Sequence, residues 1–155
     1  MRAREIMASN VLTCYPDTNL AAVARIMWEG DCGMVPVSDR AGKVIGVITD
    51  RDICIAAGTR DRAARDILVR DVMSKSLHWC APTDDVRAAL TTMRNHRVRR
   101  LPVLGQDGRV LGIVSLNDIV MRGVTARGAN GLVDELLDAI KSISTPANAP
   151  LAASA

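Results

Sequence analysis

The feature that most constrains this chain is internal repetition. Shifted by 66 residues, the sequence aligns with itself without a gap: Arg4 falls on Arg70, Met7 on Met73, Cys14 on Cys80, Pro16 on Pro82, Ala22 on Ala88 and Met27 on Met93. Pro36-Val37 falls on Pro102-Val103, Gly42, Val44 and Gly46 on Gly108, Val110 and Gly112, and Asp52-Ile53 on Asp118-Ile119. Between 4 and 57 there are 13 identities in 54 positions; unrelated segments would match at roughly one position in fifteen to twenty. A unit of about 55 residues is too small to bury a sheet alone, so the two copies should pack against each other.

Each copy reads as β-α-β-β-α. A first strand is expected around Val11–Thr13 and Leu77–Trp79. Thr18 and Thr83 are the expected caps of two helices. The first, over 19–29, carries Leu20, Val23, Ala24, Met27 and Trp28 at helical spacing; the second carries Val86, Ala89, Leu90 and Met93. Strands follow at Met34–Ser38 and Leu101–Leu104, polar turns at Asp39–Gly42 and Gly105–Gly108, and strands at Val44–Thr49 and Val110–Ser115. A second helix starts at Asp50 or Leu116. The expected class is α/β (α+β): repeats at 1–60 and 66–123, joined by a polar link over 58–66 and packed about a pseudo-two-fold axis. Asn130 is the expected cap of a C-terminal helix, 130–143, with Leu132, Val133, Leu136, Leu137, Ile140 and Ile143 as its apolar residues. The Ala/Pro/Ser-rich tail, 144–155, is expected to be disordered.

Composition narrows the function. Of the 155 residues 48% are apolar and 24% charged, which excludes wholesale disorder. The only aromatics are Tyr15, Trp28 and Trp79, and the net charge is +3, which argues against a nucleic-acid surface. Cysteines at 14, 32, 54 and 80 form no C-x-x-C, and His78 and His96 are the only histidines, so no metal site is expected. Cys14 and Cys80 read as a buried reduced pair rather than a disulfide. No apolar run approaches the ~18 residues of a membrane span, and Met1-Arg-Ala-Arg opens no signal peptide. The expectation is a soluble, cytoplasmic protein with neither membrane nor nucleic-acid partners.

The chemistry resides in Gly46-Val-Ile-Thr49-Asp-Arg51-Asp52 and its copy, Gly112-Ile-Val-Ser115-Leu-Asn117-Asp118. In each, a strand ends at a hydroxyl residue and a helix begins at once. A helix N-terminus can seat a phosphate, the hydroxyl can bond a phosphate oxygen, and the Asp can accept from two ribose hydroxyls. The Gly permits close approach of a ligand or of backbone. Thr-x-x-Asp and Ser-x-x-Asp also fit a helix capping box. The two readings are compatible, and occurrence in both copies favours ligand binding.

At this point the chain resembles a tandem pair of CBS domains (the cystathionine β-synthase, or Bateman, module), of the small stand-alone bacterial hypoxic-response type. The matching marks are Ile6-Met7 and Val72-Met73, Pro16-Asp17-Thr18 and Pro82-Thr83-Asp84, Val35-Pro36-Val37 and Leu101-Pro102-Val103, and the two Gly-x-x-(Thr/Ser)-x-x-Asp segments. They span residues 1 to about 123. The resemblance implies a cleft between the repeats that binds an adenosine-bearing ligand: AMP, ADP or ATP, with S-adenosylmethionine or NAD as further options and no required cofactor. Thr49, Arg51 and Asp52 would serve one site and Ser115, Asn117 and Asp118 the other. Adenine would lie against Thr13, Trp79, Val35-Pro36 and Leu101-Pro102. A homodimer is also implied.

The repeats differ just before their second strands. The second has His96-Arg-Val-Arg99-Arg100 where the first has Gly30-Asp-Cys-Gly33-Met34. Arg99 and Arg100 suit phosphate oxygens, so the two clefts should prefer differently phosphorylated ligands; a solvated basic patch is the alternative. Three functional classes remain: a nucleotide-sensing binding module, which leads; an interaction scaffold whose clefts stay empty, with an unidentified protein partner; and an enzyme, disfavoured by the lack of any recognised catalytic motif.

Overall fold

A computed structural model describes residues 1–123 and 131–145. The elements are α1 (Ala3–Ile6), α2 (Leu20–Glu29), β1 (Met34–Ser38), β2 (Val44–Thr49), α3 (Asp50–Thr59), α4 (Val86–His96), β3 (Arg100–Leu104), β4 (Val110–Ser115), α5 (Leu116–Asp118) and α6 (Leu132–Ser144). A π turn, Ile119–Gly123, continues α5. β1 pairs antiparallel with β2, and β3 with β4, in the same register and with an irregularity at the same place. The hairpin turns at Gly42 and Gly108 use φ of +82° and +76°, conformations that a residue with a Cβ adopts only under strain. The mixed α/β class is as expected, with two differences in detail.

First, the opening strand of each unit is reduced to isolated bridges. Cys14 pairs in parallel with Val37 and Cys80 with Val103, while 9–13 and 75–79 are irregular. Second, the helix caps are Asn19, which accepts from the Ala22 amide, and Asp85, which accepts from the Arg87 amide. Thr18 instead accepts from the Tyr15 amide at 3.1 Å, which closes the turn before the helix. Asn19 and Asp85 are 66 residues apart; Thr18 and Thr83 are not, so the repeat offset identifies the right caps.

The cores do not follow chain order. One cluster holds Leu20, Val23, Met27, Val35, Val37 and Ile48 together with Ile67 and Val69, which lie beyond the first repeat. The other holds Val86, Leu90, Met93, Leu101, Val103 and Val114 together with Ala3 and Ile6 from the N-terminus. Backbone bonds repeat the exchange: Ala3 N–H to Asp84 C=O and Val69 N–H to Thr18 C=O, both 2.9 Å. Each lead-in arm therefore completes the other unit's core. The arms continue onto the hairpins, where Ala8 and Ile113 exchange two bonds of 2.9 Å, and Ser74 and Val47 exchange bonds of 2.9 and 3.1 Å. Gly46 and Gly112 sit at these crossings. A Cβ on Gly46 would lie 2.5 Å from the Ser74 carbonyl oxygen, and one on Gly112 would lie 2.5 Å from Met7 Sδ and 2.9 Å from the Ala8 carbonyl oxygen. Gly46 thus admits the crossing backbone, and Gly112 admits both the Met7 side chain and the crossing backbone.

Several side chains depart from the expected core. Trp28 is 87% exposed, at the solvent side of α2. α6 packs on α4 through Leu132, Leu136 and Ala139, while Val133, Leu137 and Ile140 form an outward stripe. α6 includes Ser144 and is capped at Thr145; the expected Asn130 cap and the tail 146–155 lie outside the described residues. Cys14 and Cys80 are free thiols in separate cores, so they cannot bridge. Burial pushes both up to about 11, helped at Cys80 by the Asp84 carboxylate. Among the described residues, no helix is long and apolar enough to cross a membrane.

Candidate functional site

Two clefts flank the contact between the units, and each draws on both. The larger, of 770 Å³, joins Thr49, Asp50, Arg51 and Asp52 of the first unit to Ser74, Ser76 and His78 of the second arm, and to the segment His96–Arg100 with Pro102. Ile143 of α6 borders it as well. The smaller, of 190 Å³, joins Ser115 and Asp118 to Ala8, Asn10, Val11 and Leu12 of the N-terminal arm, and to Gly30, Cys32 and Met34. Arg100 lines both. The crossed arms cause the mixing: the strand end of one unit meets the arm and the pre-strand segment of the other.

Both hydroxyl-Asp pairs form capping boxes. Asp52 Oδ2 accepts from the Thr49 amide at 2.9 Å and from its hydroxyl at 2.7 Å, while the Asp52 amide donates back to Thr49 Oγ1 at 3.2 Å. Ser115 and Asp118 repeat these bonds, with 2.9 Å and 3.2 Å for the two amides, and the serine hydroxyl also donates to Oδ2. The second carboxylate oxygen, Oδ1, of each Asp has no partner among the described residues, so each box leaves an acceptor for a ribose hydroxyl. Both readings of the motif are therefore structurally compatible.

The helix N-terminus is a poorer phosphate seat than expected. At α3 the first three amides are already bonded: Asp50 to the Gly33 carbonyl, Arg51 to Asp50 Oδ1, and Asp52 to the Thr49 hydroxyl. Asp50 also places a carboxylate there. Positive charge comes instead from Arg51, Arg97, Arg99 and Arg100 on the walls. Gly33 makes room for this arrangement. A Cβ there would lie 2.8 Å from Asp50 Oδ2 and 3.3 Å from the Arg100 guanidinium.

Of the expected site residues, Thr49, Arg51, Asp52, Arg99, Arg100 and Pro102 meet in the larger cleft, and Ser115, Asp118 and Arg100 in the smaller. Six do not line either. The side chains of Val35 and Leu101 belong to the cores and are fully buried, so they offer neither cleft a side-chain contact. Pro36 is buried, and the smaller cleft does not reach it. Thr13 and Trp79 are exposed and lie outside the linings, while their neighbours Leu12 and His78 line the clefts. Asn117 is exposed on the outer side of α5.

The sequence reading missed the imidazoles. His78 and His96 stack with ring centroids 3.7 Å apart and planes 15° apart. Burial, and next the neighbouring His96, holds the His78 imidazole below the usual histidine range. The signal available was the repeat offset, which places His78 opposite Leu12 and His96 opposite Gly30, two positions that also line a cleft. Among the described residues no group of three or more His, Cys, Asp or Glu could hold a metal ion.

The CBS domain model matches residues 3–58 and 69–124. Hypoxic response protein 1 of Mycobacterium tuberculosis is 35% identical over 121 residues, 76% of this chain and 81% of that protein. A solved structure of hypoxic response protein I with two coordinated zinc ions, 28% identical, superposes with a TM-score of 0.71 over 79% of this chain and 98% of that one. The CBS pair of protein MJ0100, solved with 5′-methylthioadenosine and S-adenosyl-L-methionine, is 21% identical with a TM-score of 0.72, over 78% and 94% of the two chains; this shows a shared fold. Inosine-5′-monophosphate dehydrogenase of Methanocaldococcus jannaschii is 31% identical over 122 residues, and the chain spans 23% of its length. The doubled motif, the crossed arms and the family match over both repeats establish that this chain belongs to the CBS domain family as a tandem pair.

Proposed function

We propose that this CBS pair is a non-catalytic regulatory module whose larger cleft binds a phosphorylated adenosine ligand of the AMP, ADP or ATP class. The observation that carries the reading is the pairing, in one 770 Å³ cleft, of the Thr49–Asp52 box with Arg99 and Arg100 of the other unit. That volume falls within the range of small-molecule sites, ~300–1,000 Å³, whereas the 190 Å³ cleft lies below it. Asp52 Oδ1 accepts from the ribose hydroxyls. Met34, Val47, Val98 and Pro102 offer apolar contact to the base, and the arginines receive the phosphates. The adenosine compounds named for the MJ0100 pair support the adenosyl part of this reading.

Ligand occupancy would act by holding the two units at a fixed spacing, because every wall of the cleft is shared between them. A homodimer is the proposed assembly. Ile55 and Met121, repeat-equivalent and 50% and 65% exposed, present matching apolar patches. Mass spectrometry of ligands released from the purified chain, followed by calorimetry with adenosine, AMP, ADP, ATP, S-adenosylmethionine and NAD, tests the reading. Binding of a phosphorylated adenosine compound is expected. If none binds, the scaffold reading with empty clefts replaces it. Light scattering that shows a monomer at roughly tens of micromolar would remove the dimer.

A further inference from the structure

The stacked imidazoles give the larger cleft two basic ring groups that the smaller cleft lacks. His78 comes from the second arm and His96 from the last turn of α4, and both line the cleft. Their counterparts in the smaller cleft are Leu12 and Gly30. Two positive charges on rings stacked 3.7 Å apart repel, so a doubly charged pair is disfavoured. Arg97, Arg99 and Arg100 share the cleft with them. Asp50, Arg51 and Asp52 enter from the start of α3, and α6 brings only the uncharged Ile143. An anion reverses the balance, because it favours imidazolium over imidazole and accepts charge-assisted bonds from the ring N–H groups.

We propose that His78 and His96 form an anion subsite that takes up a proton together with the ligand's phosphate chain, so the larger cleft binds polyphosphate ligands more tightly as pH falls from 8 to 6. The inference rests on reading the cleft as a site for phosphorylated adenosine, and it adds a proton to the bound state. The ligand class it selects is a chain of two or more phosphates.

With only two histidines in the chain, NMR can follow each imidazole, assigned by comparison with His78→Gln and His96→Gln. The full chain is titrated alone and with ATP, adenosine or inorganic tripolyphosphate. ATP and tripolyphosphate are expected to raise at least one imidazole midpoint by about one pH unit, equivalent to about a tenfold gain in affinity across the transition; adenosine is expected to move neither. ATP that binds by calorimetry without moving a midpoint overturns the inference and leaves the adenosine reading standing. A midpoint raised by tripolyphosphate, when no adenosine compound binds, overturns the adenosine reading and leaves the subsite. If neither phosphate moves a midpoint, the subsite is absent. The double variant His78→Gln/His96→Gln should keep only the pH dependence due to the phosphates' own ionisation; wild-type pH dependence in that variant also overturns the inference.

Discussion

The two clefts use the same backbone and differ in what surrounds it. Each has a hydroxyl-Asp capping box at a strand end, an arm crossing from the other unit and a glycine beneath that arm. Around the larger one, the pre-strand segment contributes His96, Arg97, Arg99 and Arg100; around the smaller one, the equivalent segment contributes Gly30, Cys32 and Met34. Asp50 at the start of α3 becomes Leu116 at the start of α5. A pseudo-symmetric scaffold thus separates two tasks. The shared positions hold the fold and the capping boxes, and the divergent positions set charge and volume.

The largest effect expected of a single substitution tests the shared part. Gly46→Ala should cost about 3 kcal/mol in chemical denaturation, because its Cβ would meet the Ser74 carbonyl on the bridged backbone. Gly112→Ala should cost about half as much, since the nearest atom there is the sulfur of the flexible Met7 side chain. Equal, small losses would show that the arms do not hold the units.

The next tests the two halves where they should behave alike. The Cys14 and Cys80 thiols are raised from 9.0 to about 11. The folded state therefore favours the protonated thiol, and the stabilisation is complete below pH 9 and lost as pH rises through 11. A shift of this size corresponds to between about 2 and 3 kcal/mol per thiol. Denaturation curves at pH 8, 10 and 11 should show the loss in the wild type and much less of it in Cys14→Ala/Cys80→Ala.

Asp52→Ala and Asp118→Ala separate the clefts. Each removes the third-position partner of a capping box, whose lost hydrogen bonds should cost about 1 kcal/mol of stability. Asp52→Ala should also weaken nucleotide binding by ~1.5–3 kcal/mol, roughly tenfold to a hundredfold. Asp118→Ala should leave the affinity of the larger cleft nearly intact. Calorimetry showing equal losses would make the clefts functionally equivalent. The smallest expected effect is that of Arg99→Ala/Arg100→Ala. The preference for ATP over adenosine should fall by roughly tenfold and become less sensitive to salt, while adenosine affinity is retained. An unchanged ligand ranking would make these arginines surface charges.

The regular elements were legible because short-range rules suffice for them. β1, β2 and β4 have the bounds expected from alternation and turn residues, and α4 buries the four residues its spacing selects. The hydroxyl-Asp motif at the two strand ends was legible because both copies carry it. The caps were misplaced by one and two residues, since Thr is a good cap in isolation while the fold uses Asn19 and Asp85. Thr13 and Trp79 were misplaced because inward and outward positions on an irregular arm depend on what the arm packs against.

The sequence by itself determined the doubled unit, the CBS resemblance, the hairpins, the hydroxyl-Asp boxes and the charge difference between repeats. Each depends on residues close together in the chain or on the 66-residue offset. Only the tertiary structure decided that the arms are exchanged, that the arginines of the second unit face Thr49 and Asp52 of the first, and that His78 meets His96. Those pairings come from burial. Ala3 and Ile6 fill the core of the second unit, and Ile67 and Val69 that of the first, and no local pattern records which of two similar apolar cores an arm will close.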